Sequence, residues 1–166
     1  MMRTVAALLV GGWLIGTLFM WAAALVNFGE AAELAAAPPA GFDPAVLESV
    51  ARLQAGRANQ ALFAGWGWAQ LALGAGAAAL VWRIGRGAVR WLPLAAFVLV
   101  AGLQLFVVRP MNRLAATFEL ESRETVSAER ERFGRLHGIY SGLDLLKAGL
   151  VAVTAAALAG RPRQGR

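Results

Sequence analysis

Four long apolar runs alternate with charged segments along the chain. They cover residues 4–28, 59–82, 91–108 and 137–160, and the first three contain no charged side chain. A helix needs about 20 apolar residues to cross the hydrocarbon core of a bilayer. The pattern therefore predicts an all-α, integral membrane four-helix bundle, with one span for each run and a single domain over residues 1–166.

Two of the intervening segments carry signals for the start of a helix. Asp43 directly precedes Pro44, which is the combination of an N-cap residue and a first-turn proline. Ser127 can cap a second helix that continues into the fourth apolar run. Apolar residues share one helical face just after Pro44, at Val46, Leu47, Val50 and Leu53. We therefore predict short amphipathic helices on the extracytoplasmic side of the bundle.

The distribution of arginine predicts the orientation of the chain. Residues 29–58 and 109–136 contain eight arginines and nine acids, whereas the other polar segments contain basic residues only. Cytoplasmic segments of membrane proteins carry an excess of lysine and arginine. Both termini are therefore predicted to be cytoplasmic, on the side of Arg3, Arg83, Arg86, Arg90, Arg161, Arg163 and Arg166.

Composition agrees with a membrane protein and excludes several kinds of site. Apolar residues make up 58% of the chain, above the roughly 45–50% of soluble domains. Cysteine is absent and His137 is the single histidine, which excludes disulfides, thiolate chemistry and multi-histidine metal sites. No cofactor and no metal are predicted. The net charge of +6 lies in short blocks between apolar runs, which indicates membrane topology and no nucleic acid partner.

The fourth apolar run contains an acid and an amine, Asp144 and Lys147. Each charge costs about 2.5–3.5 kcal/mol at the centre of a spanning helix, so both side chains are predicted to face the bundle interior. Steps of three and four residues place them on one helical face. That face also carries His137, Tyr140 and Ser141.

Polar residues of the other segments complete a candidate site in the outer half of the bundle. We predict a polar pocket floored by Asp144 and Lys147. Three interpretations remain open: an ion pair that only fixes helix packing, a pocket for protons, ions or a small ligand, and an active site. The candidate partners outside the fourth run are Gln70, Gln104, Arg57 and Asn59.

Small residues at a spacing of four predict close helix contacts. Gly12 and Gly16 form such a pair in the first run, and Ala72 and Gly76 form another in the second. Spanning helices associate through close packing at small residues. These pairs would serve packing within one chain or a homo-oligomer.

Several segments together resemble the domain of unknown function 4149 family, which is related to transmembrane protein 205. The similar stretches are GGWLIGTLFMW, LQAGRANQALF, VVRPMNRL and FGRLHGIYSGLD. The last contains Phe133, Leu136 and His137, but Asp144 stands where the family has asparagine. The resemblance implies a small four-span protein of the bacterial inner (plasma) membrane, with no assigned catalytic activity.

The predicted function is binding, or helping to pass, a small solute or lipophile without enzymatic chemistry. One alternative is a structural subunit of a membrane complex. The other is a membrane enzyme similar to the microsomal glutathione transferases, which the segment RLQAGRANQAL resembles, although the expected glutamate is missing. The predicted partners are the lipid bilayer and other membrane subunits or a second copy.

Overall fold

The computed structural model describes residues 1–118 and 127–160, and they are almost entirely helical, with no strand among them. Seven helical segments follow one another in the chain: α1 (Met2–Ala36), α2 (Pro44–Ile84), a 3₁₀ turn (Gly87–Arg90), α3 (Trp91–Gly102), a π-helical segment (Leu103–Val108), α4 (Arg109–Phe118) and α5 (Ala128–Ala159).

Both predicted helix starts are confirmed. The Asp43 carboxylate accepts a hydrogen bond from the backbone N–H of Ala45 at 2.9 Å, and the Ser127 hydroxyl accepts one from that of Arg130 at 3.3 Å. However, α2 continues from Pro44 to Ile84 without a break. The predicted short helix before the second apolar run is therefore the first part of α2, because no proline follows Pro44 to end it.

α3, the π-helical segment and α4 follow one another without a break, and we call them together the third helical unit. This unit is longer than the third apolar run predicts, because the helix does not end at Val108 but continues from the π-helical segment into α4. Pro110 lies just beyond that segment. In a regular α-helix its ring would clash with the carbonyl of Phe106, and it has no N–H to donate. The wider π turn accommodates Pro110, so the chain remains helical as far as Phe118.

The long helices pack side by side, and each contacts two neighbours. α1 packs against α2 and α5, and α3 packs against the same two helices. Small residues allow the closest approaches, since Gly16 lies under the indole ring of Trp66 and Gly74 lies against Trp13. The fully buried core surrounds Trp13 and contains Val10, Val81, Val100 and Val151.

Many large apolar side chains are exposed, while several polar side chains are buried. Leu25, Trp68 and Phe106 are each at least 75% exposed, and exposed apolar patches of this kind mark contact with a membrane or a protein. Three helical units are long and apolar enough to cross a membrane, namely α1, residues 87–117 and α5, whereas α2 is not among them. The buried polar and charged residues in the described part of the chain are Thr17, Asn59, Gln70, Asp144, Lys147 and Thr154.

Several basic residues lie together at one end of the molecule. The Arg3 guanidinium donates to the carbonyl oxygens of Leu158, at 3.0 Å, and of Gly160, which satisfies free carbonyls at the C-terminus of α5. At the turn between α2 and α3, Arg90 lies over the rings of Trp82 and Trp91, at 5.0 and 5.6 Å from their centroids. We call this region the basic end. Arg161, Arg163 and Arg166, which are predicted to lie on the same side of the membrane, are outside the described residues.

Candidate functional site

The acid and the amine of α5 form a buried network with two other helices. Lys147 Nζ lies 2.5 Å from Asp144 Oδ1 and 3.0 Å from Gln70 Oε1 of α2. Trp21 Nε1 of α1 donates to the other carboxylate oxygen, Asp144 Oδ2, at 2.8 Å. Lys147 is 0% exposed, and Asp144 and Gln70 are each 3% exposed. These four residues, which we call the ion-pair network, link α1, α2 and α5.

The ion-pair network explains how two charges can lie among apolar helices. A buried charge is tolerated when it is paired and hydrogen-bonded. Here each carboxylate oxygen of Asp144 accepts a hydrogen bond, and the Lys147 ammonium has both a charged and a neutral acceptor. The network is therefore electrically neutral and directs the two charged groups toward each other.

A cleft of about 580 Å³ lies beside the ion-pair network. Its volume falls in the range of small-molecule binding sites, which are mostly apolar with a few placed polar groups. Residues from α1, α2, the third helical unit and α5 form the walls. They are Trp21, Ala24, Leu25, Phe28, Gly56, Asn59, Gln60, Phe63, Ala64, Gln104, Val108, Met111, Asn112, Phe133, His137, Tyr140, Ser141, Asp144 and Leu145.

Aromatic contacts join the walls of this cleft. The rings of Phe63 on α2 and Tyr140 on α5 meet edge to face, with centroids 6.2 Å apart. Along α5, the rings of Phe133 and His137 are stacked at 5.9 Å with an angle of 8° between their planes. The cleft therefore presents ring faces and edges to an occupant as well as aliphatic groups.

The structure separates the nine predicted site residues into three groups. Asn59, Gln104, His137, Tyr140, Ser141 and Asp144 line the cleft. Gln70 and Lys147 are buried behind its wall, where they hydrogen-bond to each other. Arg57 is exposed and does not line the cleft.

The two residues of the predicted floor lie differently with respect to the cleft. Asp144 lines the cleft, but Lys147 does not, because its ammonium group is turned toward Gln70 and sealed from the cleft. Gln104 lies apart from this ammonium, and its side chain packs against the backbone of Gly67. A β-carbon at Gly67 would lie 2.9 Å from Gln104 Cδ, so the end of the Gln104 side chain would have to shift to accommodate a larger residue.

Two contributions to the lining of the cleft are not indicated by the sequence pattern. Trp21 holds the carboxylate of Asp144 and also lines the cleft. Its indole N–H was a usable signal, since a buried tryptophan usually finds a hydrogen-bond acceptor. Met111 and Asn112 also line the cleft, but they follow the third apolar run and become part of the wall only because the helix continues through the π-helical segment.

The chemistry of this lining favours an uncharged ligand over a metal ion or an anion. No group of three or more histidine, cysteine, aspartate or glutamate side chains within residues 1–118 and 127–160 could hold a metal ion. Neither lysine nor arginine is found among the described residues that line the cleft. Asp144 supplies the one carboxylate among these lining residues, and Lys147 already neutralises it.

Fold and site together define an all-helical protein with three helices able to cross a membrane and an apolar cleft beside a buried ion pair. Comparison of the chain with protein families, with curated proteins and with solved structures gives no match. The resemblance to the domain of unknown function 4149 family therefore stays a prediction. The residues of the cleft are therefore the basis for a proposed function.

Proposed function

We propose that this chain is a four-span membrane protein that binds a small, uncharged lipophile in the cleft between its helices. The observation that carries the proposal is the cleft itself, a space of about 580 Å³ with mostly apolar and aromatic walls and a few polar groups. A site of this composition gains its affinity mainly from the burial of apolar ligand surface.

The position of the ion-pair network favours a binding function over passage of an ion. Between the network and the basic end, the core contains apolar side chains such as Val10, Val81 and Val151. The two threonines buried there, Thr17 and Thr154, donate their hydroxyl groups to carbonyl oxygens of their own helices. A conducted ion needs polar groups or water along its route. The cleft is therefore proposed to receive its ligand from the outer end or from the bilayer, with no polar path through the core. No covalent step is required.

Filling the cleft from one wall is expected to weaken binding of a lipophile. Ala24 of α1 lines the cleft, so the phenyl ring of Ala24→Phe would occupy space that a ligand needs. We expect the fluorescent lipophile N-phenyl-1-naphthylamine to bind the unmodified protein in nanodiscs, and to bind this variant about tenfold more weakly, which corresponds to about 1.4 kcal/mol. The measurement is a titration of the probe's fluorescence.

Ala22→Phe is the matched control for this experiment. Ala22 is exposed on the same helix and does not line the cleft, so the added ring should lie in lipid and leave the affinity unchanged. Equal weakening by both substitutions, or no saturable binding to the unmodified protein, would rule out the cleft as the binding site.

The four-span topology with cytoplasmic termini is part of the proposal. It is supported by the basic end, where Arg3, Arg83, Arg86 and Arg90 lie and where no acidic residue is found in the described chain. Positive charge of this kind marks the cytoplasmic side. α2 crosses the bilayer in this arrangement although it is not among the three helical units that are apolar enough by composition, because its polar residues Asn59 and Gln70 are buried against its neighbours.

Labelling of single cysteines tests this topology, since the natural chain has no cysteine. Ser49 precedes the apolar part of α2 and Arg86 follows it, and both are exposed. In bacterial cells with a permeabilised outer membrane and an intact inner membrane, a membrane-impermeant maleimide should label Ser49→Cys. It should label Arg86→Cys only after the inner membrane is opened. Equal labelling of the two variants in intact cells would show that α2 does not span.

The family and the location also remain proposals. We propose the bacterial inner membrane as the location, on the basis of the apolar helices, the basic end and the sequence resemblance. Fractionation of the expressing cells tests it: the chain should be found with the inner membrane and be released by detergent but not by carbonate at high pH.

A further inference from the structure

One polar group of the cleft has no partner. Asn59 lines the cleft and is only 7% exposed, yet its amide nitrogen Nδ2 has no hydrogen-bond partner among the residues that the structure describes. Leaving a buried donor unsatisfied costs about 1–3 kcal/mol. Such a group in a native structure calls for an explanation, and a ligand that supplies an acceptor is one.

Asn27 determines which hydrogen-bonding group Asn59 offers. The amide nitrogen Nδ2 of Asn27 on α1 donates to Asn59 Oδ1 at 2.6 Å. Asn59 Oδ1 thereby accepts a hydrogen bond, whereas the Nδ2 amide group remains a buried donor without a partner among the described residues. An acceptor atom on an occupant of the cleft would satisfy this donor.

Aromatic residues lie close to this donor. Asn59 and Phe63 are four residues apart on α2, so they share one helical face about 6 Å apart along the axis. Phe63 in turn contacts the ring of Tyr140 across the cleft. A flat ring placed against this pair can bring an oxygen atom on its edge within reach of Asn59.

The charges of the lining indicate that the occupant is neutral. Among residues 1–118 and 127–160, neither lysine nor arginine lines the cleft, and the Asp144 carboxylate is held by Lys147 and Trp21. An ionised ligand would lose its hydration without gaining a free counter-charge, which is costly in an apolar site. An uncharged carbonyl oxygen meets the requirement of Asn59 at no such cost.

We propose that the occupant is an uncharged, ring-bearing lipophile with a carbonyl oxygen on the ring, as in a quinone. Asn59 Nδ2 donates to that oxygen, and the ring packs against Phe63 and Tyr140. This inference rests on the proposed binding function and specifies the chemical class of its ligand. Asn27 is a positioning residue, because it fixes the orientation of the Asn59 amide without touching the ligand.

The test compares two probes with the same carbon skeleton, of which one has ring carbonyl groups and the other has a fully aromatic ring system. Menadione and 2-methylnaphthalene share a fused ring and a methyl group, but only menadione has ring carbonyl oxygens. Both are titrated into the unmodified protein in nanodiscs, with the cleft-filling variant Ala24→Phe as the baseline for partition into lipid. We expect menadione to bind about tenfold more tightly, as a gain of about 1.4 kcal/mol produces.

Asn59→Leu removes the donor and keeps a side chain of similar size, so this preference should fall to about onefold. The infrared carbonyl stretch of menadione bound to the unmodified protein provides a measurement that needs no variant at Asn59. It should be lower in frequency than that of menadione in the empty lipid. An unshifted stretch, or equal affinity for the two probes, overturns the carbonyl assignment.

The two levels of the proposal fail differently. In one outcome, 2-methylnaphthalene binds saturably, Ala24→Phe removes this binding, and menadione binds no more tightly. This outcome supports the binding function and rejects the carbonyl ligand. Absence of saturable binding by either probe rejects both.

Discussion

Asp144→Leu is expected to lower the free energy of unfolding by about 3–5 kcal/mol, the usual effect of removing one member of a buried ion pair. The substitution leaves the Lys147 ammonium 0% exposed with only the neutral Gln70 as a partner. It also removes the acceptor of the Trp21 indole N–H. The measurement is loss of helical circular dichroism as the protein in mild detergent is titrated with a denaturing detergent.

The double variant Asp144→Leu, Lys147→Met is the control. Replacing both members of a buried ion pair with apolar groups is often neutral or stabilising, so the double variant should recover most of the lost stability. Equal stability of the single variant and the unmodified protein would contradict the burial of the pair. Failure of the double variant to recover would assign the loss to the missing hydrogen bond from Trp21 or to the shape of the side chain at residue 144, and not to an unpaired charge.

Gly16→Ala is expected to lower the free energy of unfolding by about 1–3 kcal/mol, as is typical of overpacking. A β-carbon at residue 16 would lie 2.6 Å from Cζ3 of the Trp66 indole and nearer still to another ring atom. Trp66 is packed against the apolar core. Its ring therefore has to move, which disrupts part of the packing between α1 and α2. The same detergent titration measures the loss.

Gly12→Ala is the matched control, because nothing lies within 4 Å of a β-carbon at residue 12. This substitution is one helical turn away in the same predicted small-residue pair, and it should leave stability unchanged or slightly higher. If the two variants behave alike, α1 does not approach α2 at Gly16 as described. Loss of stability in Gly12→Ala alone would instead point to packing of Gly12 against a second copy.

The contrast between these glycines shows how far a spacing motif can be interpreted. The pair Gly12 and Gly16 predicted close packing, but only Gly16 makes such an approach within the chain. The second pair behaves similarly, since Gly76 lies against Leu9 whereas Ala72 is exposed. A spacing of four places two residues on one face of a helix, but the crossing point of the neighbouring helix decides which of them is covered.

Charge in an apolar run was the strongest indicator of the candidate site. The cost of exposing Asp144 and Lys147 to hydrocarbon predicts that both are buried, and both are. Their spacing of three predicts that they can pair along α5, which they do. The sequence could not show that Lys147 turns toward Gln70 and away from the cleft, because that choice depends on where α2 places an acceptor.

Which residues form the walls of the cleft depends on contacts between helices, and these contacts cannot be predicted from a local sequence pattern. Asn27, Asn59 and Trp21 are polar or partly polar residues in otherwise apolar helices, and the sequence gives no register of α1 against α2. Only packing brings Asn27 to Asn59 and Trp21 to Asp144. The donor left over at Asn59, on which the proposed ligand class depends, is a result of that register.

By itself, the sequence determined that the chain forms long apolar helices, where two of them begin, and that an acid and an amine in the last helix must be buried. These properties follow from hydrophobicity, capping chemistry and the cost of charge in an apolar medium, which act on neighbouring residues. Tertiary structure decided which side chains line the cleft and which donor remains unpaired. Those depend on helix register and crossing points, which are properties of distant residues in contact.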